Sequence, residues 1–253
     1  MFAALFSSDC RICGFALENI SRLPVCPRCL RAIHLIGGPA CDVSGEVLAS
    51  SSPESCFACA ESRPHFDKAV AFGRYERELR ELIHLLKYEQ VIAAAKILGK
   101  ILSQVMAKLP TASRSLLVIL VPLHSPKRRQ RGFNQVELIA RAAQKTTNIA
   151  AQAELASNLL ARQQVTRSQI GLTRPQREQD IRGAFGVAQA NKVPGRDVML
   201  VDDVLTTGRA SECARILKKA GAKRVGVATL GRTPTAGATF EVEPEFEIAA
   251  HVS

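Results

Sequence analysis

Apolar runs of strand length alternate along this chain with longer stretches in which apolar residues recur at helical spacing. Lys68 to Tyr75, Leu116 to Val121, Val198 to Val201 and Arg224 to Leu230 read as strands, the last three buried. Leu79, Leu82, Ile83 and Leu86 set one face of a helix over Glu76 to Glu89. A second helix is expected from Ile92 to Leu109, closed by Pro110. Val136, Leu138, Ile139 and Ala142 mark a third. Ala210, Cys213, Ala214 and Leu217 mark a fourth over Arg209 to Ala220, with Gly221 at the C-cap position. Strands and helices in this alternation predict an open parallel α/β sheet.

The run Val198 to Val201 meets two adjacent acids, Asp202 and Asp203, and a little further on Thr206, Thr207 and Gly208. The expectation is a buried strand, a turn carrying the acids and hydroxyls, and a helix behind it. Free backbone N–H groups and the positive end of the helix dipole converge at such a turn, and both favour a phosphate. The threonine hydroxyls add donors, and Gly208 lets the backbone come close to a ligand. Two carboxylates would repel that phosphate. They suit the hydroxyls of a sugar, or a metal held through water. A phosphate beside a vicinal diol is a ribose 5-phosphate.

Composition adds a charge asymmetry. The 253 residues are 47% apolar and carry a formal charge of +11. Residues 1 to 66 are net −1, so the remainder is net +12. Arg114 to Arg182 alone holds 12 basic residues against four acids. Such a field favours a polyanion: a pyrophosphate or a nucleic acid backbone. No segment reaches the roughly 18 uninterrupted apolar residues of a membrane helix. Met1 to Phe6 lacks the basic start and long apolar core of a signal peptide, so a cytosolic chain without membrane insertion is expected.

Seven of the eight cysteines precede residue 60. Cys10-x-x-Cys13 and Cys26-x-x-Cys29 supply four thiolates, the tetrahedral shell of a structural zinc with no position open for catalysis. Cys56-x-x-Cys59 is a further knuckle, but Ser44 stands where Cys41 would have its partner. Asp42, His34 or His65 are candidate fourth ligands of this second, degenerate site, whose cysteines alternatively pack as small apolar groups. Residues 1–64 are expected to form a zinc-binding module and 65–232 the main domain. Residues 233–253 read as a disordered acidic tail.

Two motifs carry a resemblance. Val198 to Ala210 resembles the phosphoribosyl-pyrophosphate (PRPP) binding motif of type I phosphoribosyltransferases. The segment V-P-L-H-S-P-K-R-R-Q-R-G-F-N-Q, ending at Gln135, together with the cysteine knuckles and the acid pair, resembles the ComF/GntX family of phosphoribosyltransferase-like competence proteins. The similarity runs from Cys10 to about Arg232, with departures at Ser44, at Asp180-Ile181 and after Thr233. It implies a type I phosphoribosyltransferase-like open parallel sheet with a small double zinc ribbon-like module. It implies that Asp202 and Asp203 serve catalysis by holding the ribose hydroxyls, directly or through Mg²⁺. Thr206, Thr207, Gly208, Arg209 and Ala210 would wrap the 5-phosphate. Lys127, Arg128 and Arg131 would meet the pyrophosphate. Leu159 to Val187 matches the family's basic, hydroxyl-rich segment, and Arg174 and Arg177 would lie on a hood loop over the substrate. No residue presents itself as a base for an acceptor. The implied partners are PRPP or another phosphoribosyl ligand, single-stranded DNA and other competence proteins. A non-catalytic DNA-binding role on the same basic face is the alternative, although aromatics for base stacking are only 5% of the chain.

Overall fold

The computed structural model describes residues 9–19, 21–48, 56–109, 116–123, 132–146, 153–163 and 181–233. Strand β1 (Lys68–Arg74) is followed by helices α3 (Arg77–Tyr88) and α4 (Ala94–Ala107). Two one-turn helices, α1 (Pro27–Arg31) and α2 (Phe57–Glu61), precede them. Strand β2 (Leu117–Leu120) leads to α5 (Gln135–Gln144), where the Asn134 side chain accepts from the Val136 N–H at 3.1 Å and caps the helix. The short β3 (Glu154–Ala156) follows. Strand β6 (Asp197–Leu205), helix α6 (Thr207–Lys219) and strand β7 (Arg224–Arg232) complete the main sheet. Its order is β1-β7-β6-β2-β3, every pair parallel.

Strand alternation divides the core in two. Met199 and Val201 pack with Val118, Leu120 and Leu230 against the apolar stripes of α3, α4 and α5. Val198 and Leu200 pack with Leu117, Ile119, Val225 and Val227 on the other face, where α6 lies. The chain leaves β2 toward β3 but leaves β6 toward β7, in the opposite direction. The crevice between the carboxyl ends of β2 and β6 is therefore the sheet's switch point, where open α/β folds take their ligands.

The expected architecture is present, with differences at its edges. Strand β6 does not stop at Val201; it runs through both acids to Leu205, and α6 begins at Thr207. The acids are strand residues because β7 continues to pair beside them, with Asp202 opposite Thr229 and Leu205 opposite Arg232. The short β3 and a hairpin of β4 (Leu160–Arg162) and β5 (Phe185–Val187) have no counterpart in the elements expected from the sequence. Strands of three residues carry too little pattern to be read. Most of the tail, from residue 234, lies outside the described residues. Among the described residues no helix is long and apolar enough to cross a membrane.

The cysteine module covers the outer edge of β1. The Ile36 N–H donates to the Phe72 carbonyl at 2.8 Å, and the Ala69 N–H to the Val43 carbonyl at 2.7 Å. Its first half, with Leu23, Val25, Leu30 and Ile33, joins the core of the α3–α4 face. Its second half, with Cys41, Val43 and Phe66, joins the core of the α6 face. The module thus straddles the edge, one knuckle pair on each side. Gly45, at φ +68°, seats against β1 so closely that a Cβ would lie 2.5 Å from the Ala69 carbonyl oxygen. Arg232 of β7 reaches across to donate to the Ser44 carbonyl and to the Glu46 carboxylate, the latter at 2.9 Å.

Helices α4 and α5 touch through Gly99, where an added Cβ would come within 2.5 Å of the Ala142 Cβ and 2.9 Å of the backbone at Ala142 and Ala143. Gly99→Ala must push the helices apart and is expected to destabilise the fold by about 1–3 kcal/mol despite the better helix propensity of alanine. Urea unfolding of parent and variant measures it.

Candidate functional site

Alternation along β6 turns its two acids to opposite faces at the switch point. Asp203 faces α3 and α5. Its Oδ2 accepts from Lys87 Nζ at 2.9 Å and from Gln135 Nε2 at 2.8 Å. Asp202 faces α6. Its Oδ1 accepts from the Asp203 N–H at 2.9 Å, and its Oδ2 lies 3.6 Å from the Arg209 guanidinium. Both acids are buried, at 6% and 5% exposure. Each therefore has one cation, and the four charges balance.

The environments drive the two carboxyls apart. Burial pushes Asp202 up to about 6, against the pull of Arg209 and with the help of the Asp203 charge. Burial acts on Asp203 in the same direction, but the Lys87 ammonium and the Gln135 hydrogen bond outweigh it and hold that carboxyl below its usual range. The two groups share one field and titrate as a pair.

Behind the acids, Thr206 occupies the cap position of α6 in extended conformation, and its side chain caps no helix N–H. Its Oγ1 instead accepts from Arg209 Nε at 2.9 Å. Thr206 is exposed, Thr207, Gly208 and Arg209 are half-buried, and Ala210 is buried against the core. A Cβ on Gly208 would meet only the Ile181 Cδ1, at 3.5 Å. Ile181 and Gly183 lie against α6. The Gly183 N–H donates to Glu212 of α6 at 2.8 Å, while Arg215 holds the same carboxylate from the other side. Lys127, Arg128, Arg131, Arg174 and Arg177 lie outside the described residues. Cys213 is a fully buried helix thiol, pushed up by that burial, as its apolar spacing predicts.

In the sequence Lys87 and Tyr88 stand at the end of the α3 pattern, positions from which either could face a ligand, with no local mark that one does. Tyr88 is exposed, but Lys87 is buried on the acid pair. In the sequence Gln135 is only the last residue of the V-P-L-H-S-P-K-R-R-Q-R-G-F-N-Q segment. Lysine in the last turn of an amphipathic helix, on its buried side, was the available signal, since burial of a lysine requires a partner.

The cysteines form two clusters built on one plan. In the first, the sulfurs of Cys10, Cys13, Cys26 and Cys29 all lie within 4.8 Å of one another, with Cys10–Cys29 at 3.9 Å and Cys13–Cys26 at 3.7 Å. Zinc–sulfur bonds of about 2.3 Å in a tetrahedron require edges of about 3.8 Å, so this cluster can hold zinc. In the second, Cys41, Cys56 and Cys59 converge in the same way. Both halves show the same knuckle turn with a left-handed glycine, Gly14 or Gly45, and the same step from an N-cap cysteine, Cys26 or Cys56, into a one-turn helix. Ser44 takes the place of Cys13. It is buried, its N–H approaches Cys41 Sγ at 3.5 Å, and its hydroxyl is 3.4 Å from Cys56 Sγ. Asp42, His34 and His65 do not join either cluster. The knuckle turn brings residue 44, not its neighbours, to the fourth corner.

A parallel sheet with a buried, charge-balanced acid pair at its switch point defines an open parallel α/β protein. No protein-family model matches the chain. It is 30% identical over 224 residues to competence protein F of Haemophilus influenzae, covering 85% of this chain and 93% of that protein. It is 30% identical over 232 residues to DNA utilization protein YhgH of Salmonella typhi, and 28% over 229 residues to that of Escherichia coli K12, each covering 88% of this chain and 90% of the relative. The chain belongs to the competence protein F family. Among solved structures it is similar to an allosteric regulatory enzyme of purine biosynthesis, at 26% identity and a TM-score of 0.33 over 55% of this chain and 26% of that one. Glutamine PRPP amidotransferase from B. subtilis is similar at 19% identity and a TM-score of 0.34, over 54% of this chain and 26% of that one. The chain thus spans about a quarter of the length of these enzymes.

The raised Asp202 fixes a sign for pH dependence. The folded state holds this proton more tightly than the unfolded chain, so its ionisation costs stability above pH 6, and the cost disappears as pH falls from about 6 toward 4. Asp202→Asn is expected to stabilise the protein by about 1–3 kcal/mol at pH 8, with the gain shrinking below pH 6. Denaturant unfolding across that range reads it. For the second cysteine cluster, Ser44→Cys completes a four-thiolate shell and is expected to raise zinc affinity there by about tenfold or more, measured by chelator competition.

Proposed function

We propose that the chain binds PRPP, or another phosphoribosyl ligand, across the carboxyl ends of β2 and β6. The observation that carries this reading is the junction of β6 with α6. Two buried acids stand at the strand's end, and a helix start with two threonines and a glycine follows, its cap position free of side-chain hydrogen bonds to the helix N–H groups. Thr206 to Ala210 would hold the 5-phosphate at the amino end of α6. The acid pair would accept from the ribose hydroxyls. Lys127, Arg128 and Arg131, on the segment between β2 and α5, would meet the pyrophosphate. Mg²⁺ bound to that pyrophosphate would neutralise part of its charge.

Transfer at this site would break the bond between the ribose anomeric carbon and pyrophosphate as a nitrogen nucleophile forms a new one. Positive charge then develops on the sugar and negative charge on the leaving group, which the fixed cations stabilise. In the cysteine module, zinc held by Cys10, Cys13, Cys26 and Cys29 would act in folding and not in chemistry. Cys41, Cys56 and Cys59, with Ser44 beside them, would take a second metal more weakly.

The relatives' names connect their bearers to competence and DNA use, and we extend that setting to this chain: a cytoplasmic protein acting on incoming DNA alongside other competence proteins. A second reading, direct binding of single-stranded DNA, draws on the +11 charge and on Phe15 and Phe57, which stand 65% and 84% exposed on the cysteine module. Its mark would be a steep loss of affinity with salt.

Calorimetric titration of PRPP with Mg²⁺ tests the main reading, with Gly208→Asp as the control. An acid in the first turn favours the helix but repels a phosphate. The expected outcome is saturable binding to the parent and at least about a hundredfold loss in the variant, at unchanged or higher thermal stability. Absence of binding to the parent, or equal binding to both, overturns it.

A further inference from the structure

Asp203 comes with its own cation. Lys87 rises from the last turn of α3, its side chain 10% exposed, and its ammonium lies 2.9 Å from Asp203 Oδ2 and 5.8 Å from the centre of the Tyr75 ring. Gln135, at the start of α5, donates to the same oxygen at 2.8 Å. The carboxylate fixes that amide's orientation, because the reverse would press two oxygens together. Gln135 Oε1 is thereby left buried with no partner. A buried acceptor in that condition is costly, and a hydroxyl donor would satisfy it. Lys87 in turn has three N–H donors and uses one on Asp203. The face around Asp203 therefore offers donors and an acceptor side by side, as a sugar hydroxyl requires.

A divalent cation fits the same place poorly. Mg²⁺ wants about six oxygen ligands in a tight octahedron and binds through carboxylates. Here the carboxylate is already paired with an ammonium, and its neighbour Asp202 is turned to the other face toward Arg209. An added ion would lie against Lys87, in a site whose charge is already balanced. Among the described residues, only the cysteine sets bring three or more metal-ligating side chains together.

We propose that Lys87 is the resident cation of the sugar site: with Asp203 and Gln135 it binds a ribose hydroxyl directly, and a divalent ion enters only on the pyrophosphate. The inference rests on the phosphoribosyl reading above and selects between its two modes of holding the ribose. Lys87 is a binding and specificity residue in this scheme. It makes the site select for a ligand that carries the ribose hydroxyls together with the phosphate.

Ribose 5-phosphate is the probe, since it has the phosphate and hydroxyls without the metal-chelating pyrophosphate. Its affinity is measured by calorimetry in EDTA and in Mg²⁺, with inorganic phosphate and PRPP as references. For the parent, ribose 5-phosphate should bind equally in both buffers, within about twofold, while PRPP remains dependent on Mg²⁺. Lys87→Met, which keeps most of the stem's volume, should bind ribose 5-phosphate about tenfold more weakly in EDTA and regain part of the loss in Mg²⁺. Inorganic phosphate should bind parent and variant alike, which also shows that the variant is folded. A parent that binds ribose 5-phosphate only with Mg²⁺ overturns the Lys87 inference and leaves the phosphoribosyl reading standing, as does a Lys87→Met variant that binds like the parent. A parent that binds phosphate but not ribose 5-phosphate in either buffer overturns both.

Discussion

Two adjacent carboxylates in the middle of a parallel sheet are an electrostatic burden, and the site is arranged around its relief. Strand alternation separates the burden, sending Asp203 to one face and Asp202 to the other. Each face then supplies a cation from a different element: Lys87 from α3 and Arg209 from α6. Removal of Lys87 would leave Asp203 as an uncompensated buried charge, which costs more than the pair contributes. Helix α3 is consequently tied to a strand more than a hundred residues away in sequence. Its amphipathic stripe packs against the sheet, but its last turn is fixed by chemistry at the strand ends.

Much of this was legible in the sequence, and the parts that were not share a cause. The buried strands are apolar throughout, and the helix stripes repeat at fixed spacing, so local pattern found them. The cysteine knuckles were visible because ligand spacing is itself a local property. The apolar pattern alone ends β6 four residues short, because Asp202 and Asp203 look like the start of a turn. Only their pairing beside β7 makes them strand residues. For Lys87 the helix-end position is legible but the partner is not: nothing between Leu86 and Tyr88 reveals a carboxylate carried by β6. Spacing already puts Ser44 where the knuckle's second cysteine would stand; that Asp42, His34 and His65 stay out of the cluster is a tertiary outcome that spacing does not carry.

The acid pair and the cysteine module answer two different exposures. The first is buried charge; the second is an unpaired strand edge. β1 would otherwise present open backbone groups to any passing chain. The module closes that edge with two backbone hydrogen bonds and then continues onto both faces, so that its knuckles share the two cores of the sheet. Metal bound by the first cluster would brace the α3–α4 side, the side that carries Lys87. The second cluster braces the α6 side, and Arg232 ties it to β7.

Strand order also has a consequence for how the chain is made. Among the described residues β1 pairs within the sheet only with β7, Lys68 beside Gly226 and Arg74 beside Arg232. A ribosome releases β1 long before β7 exists, and contacts this distant in sequence form late. Through most of synthesis the first strand has no sheet to join. The cysteine knuckles, complete before β1 emerges, can occupy one of its flanks in the meantime. On that view the amino-terminal module serves the nascent chain as a built-in escort, holding the first strand ready until the last one arrives.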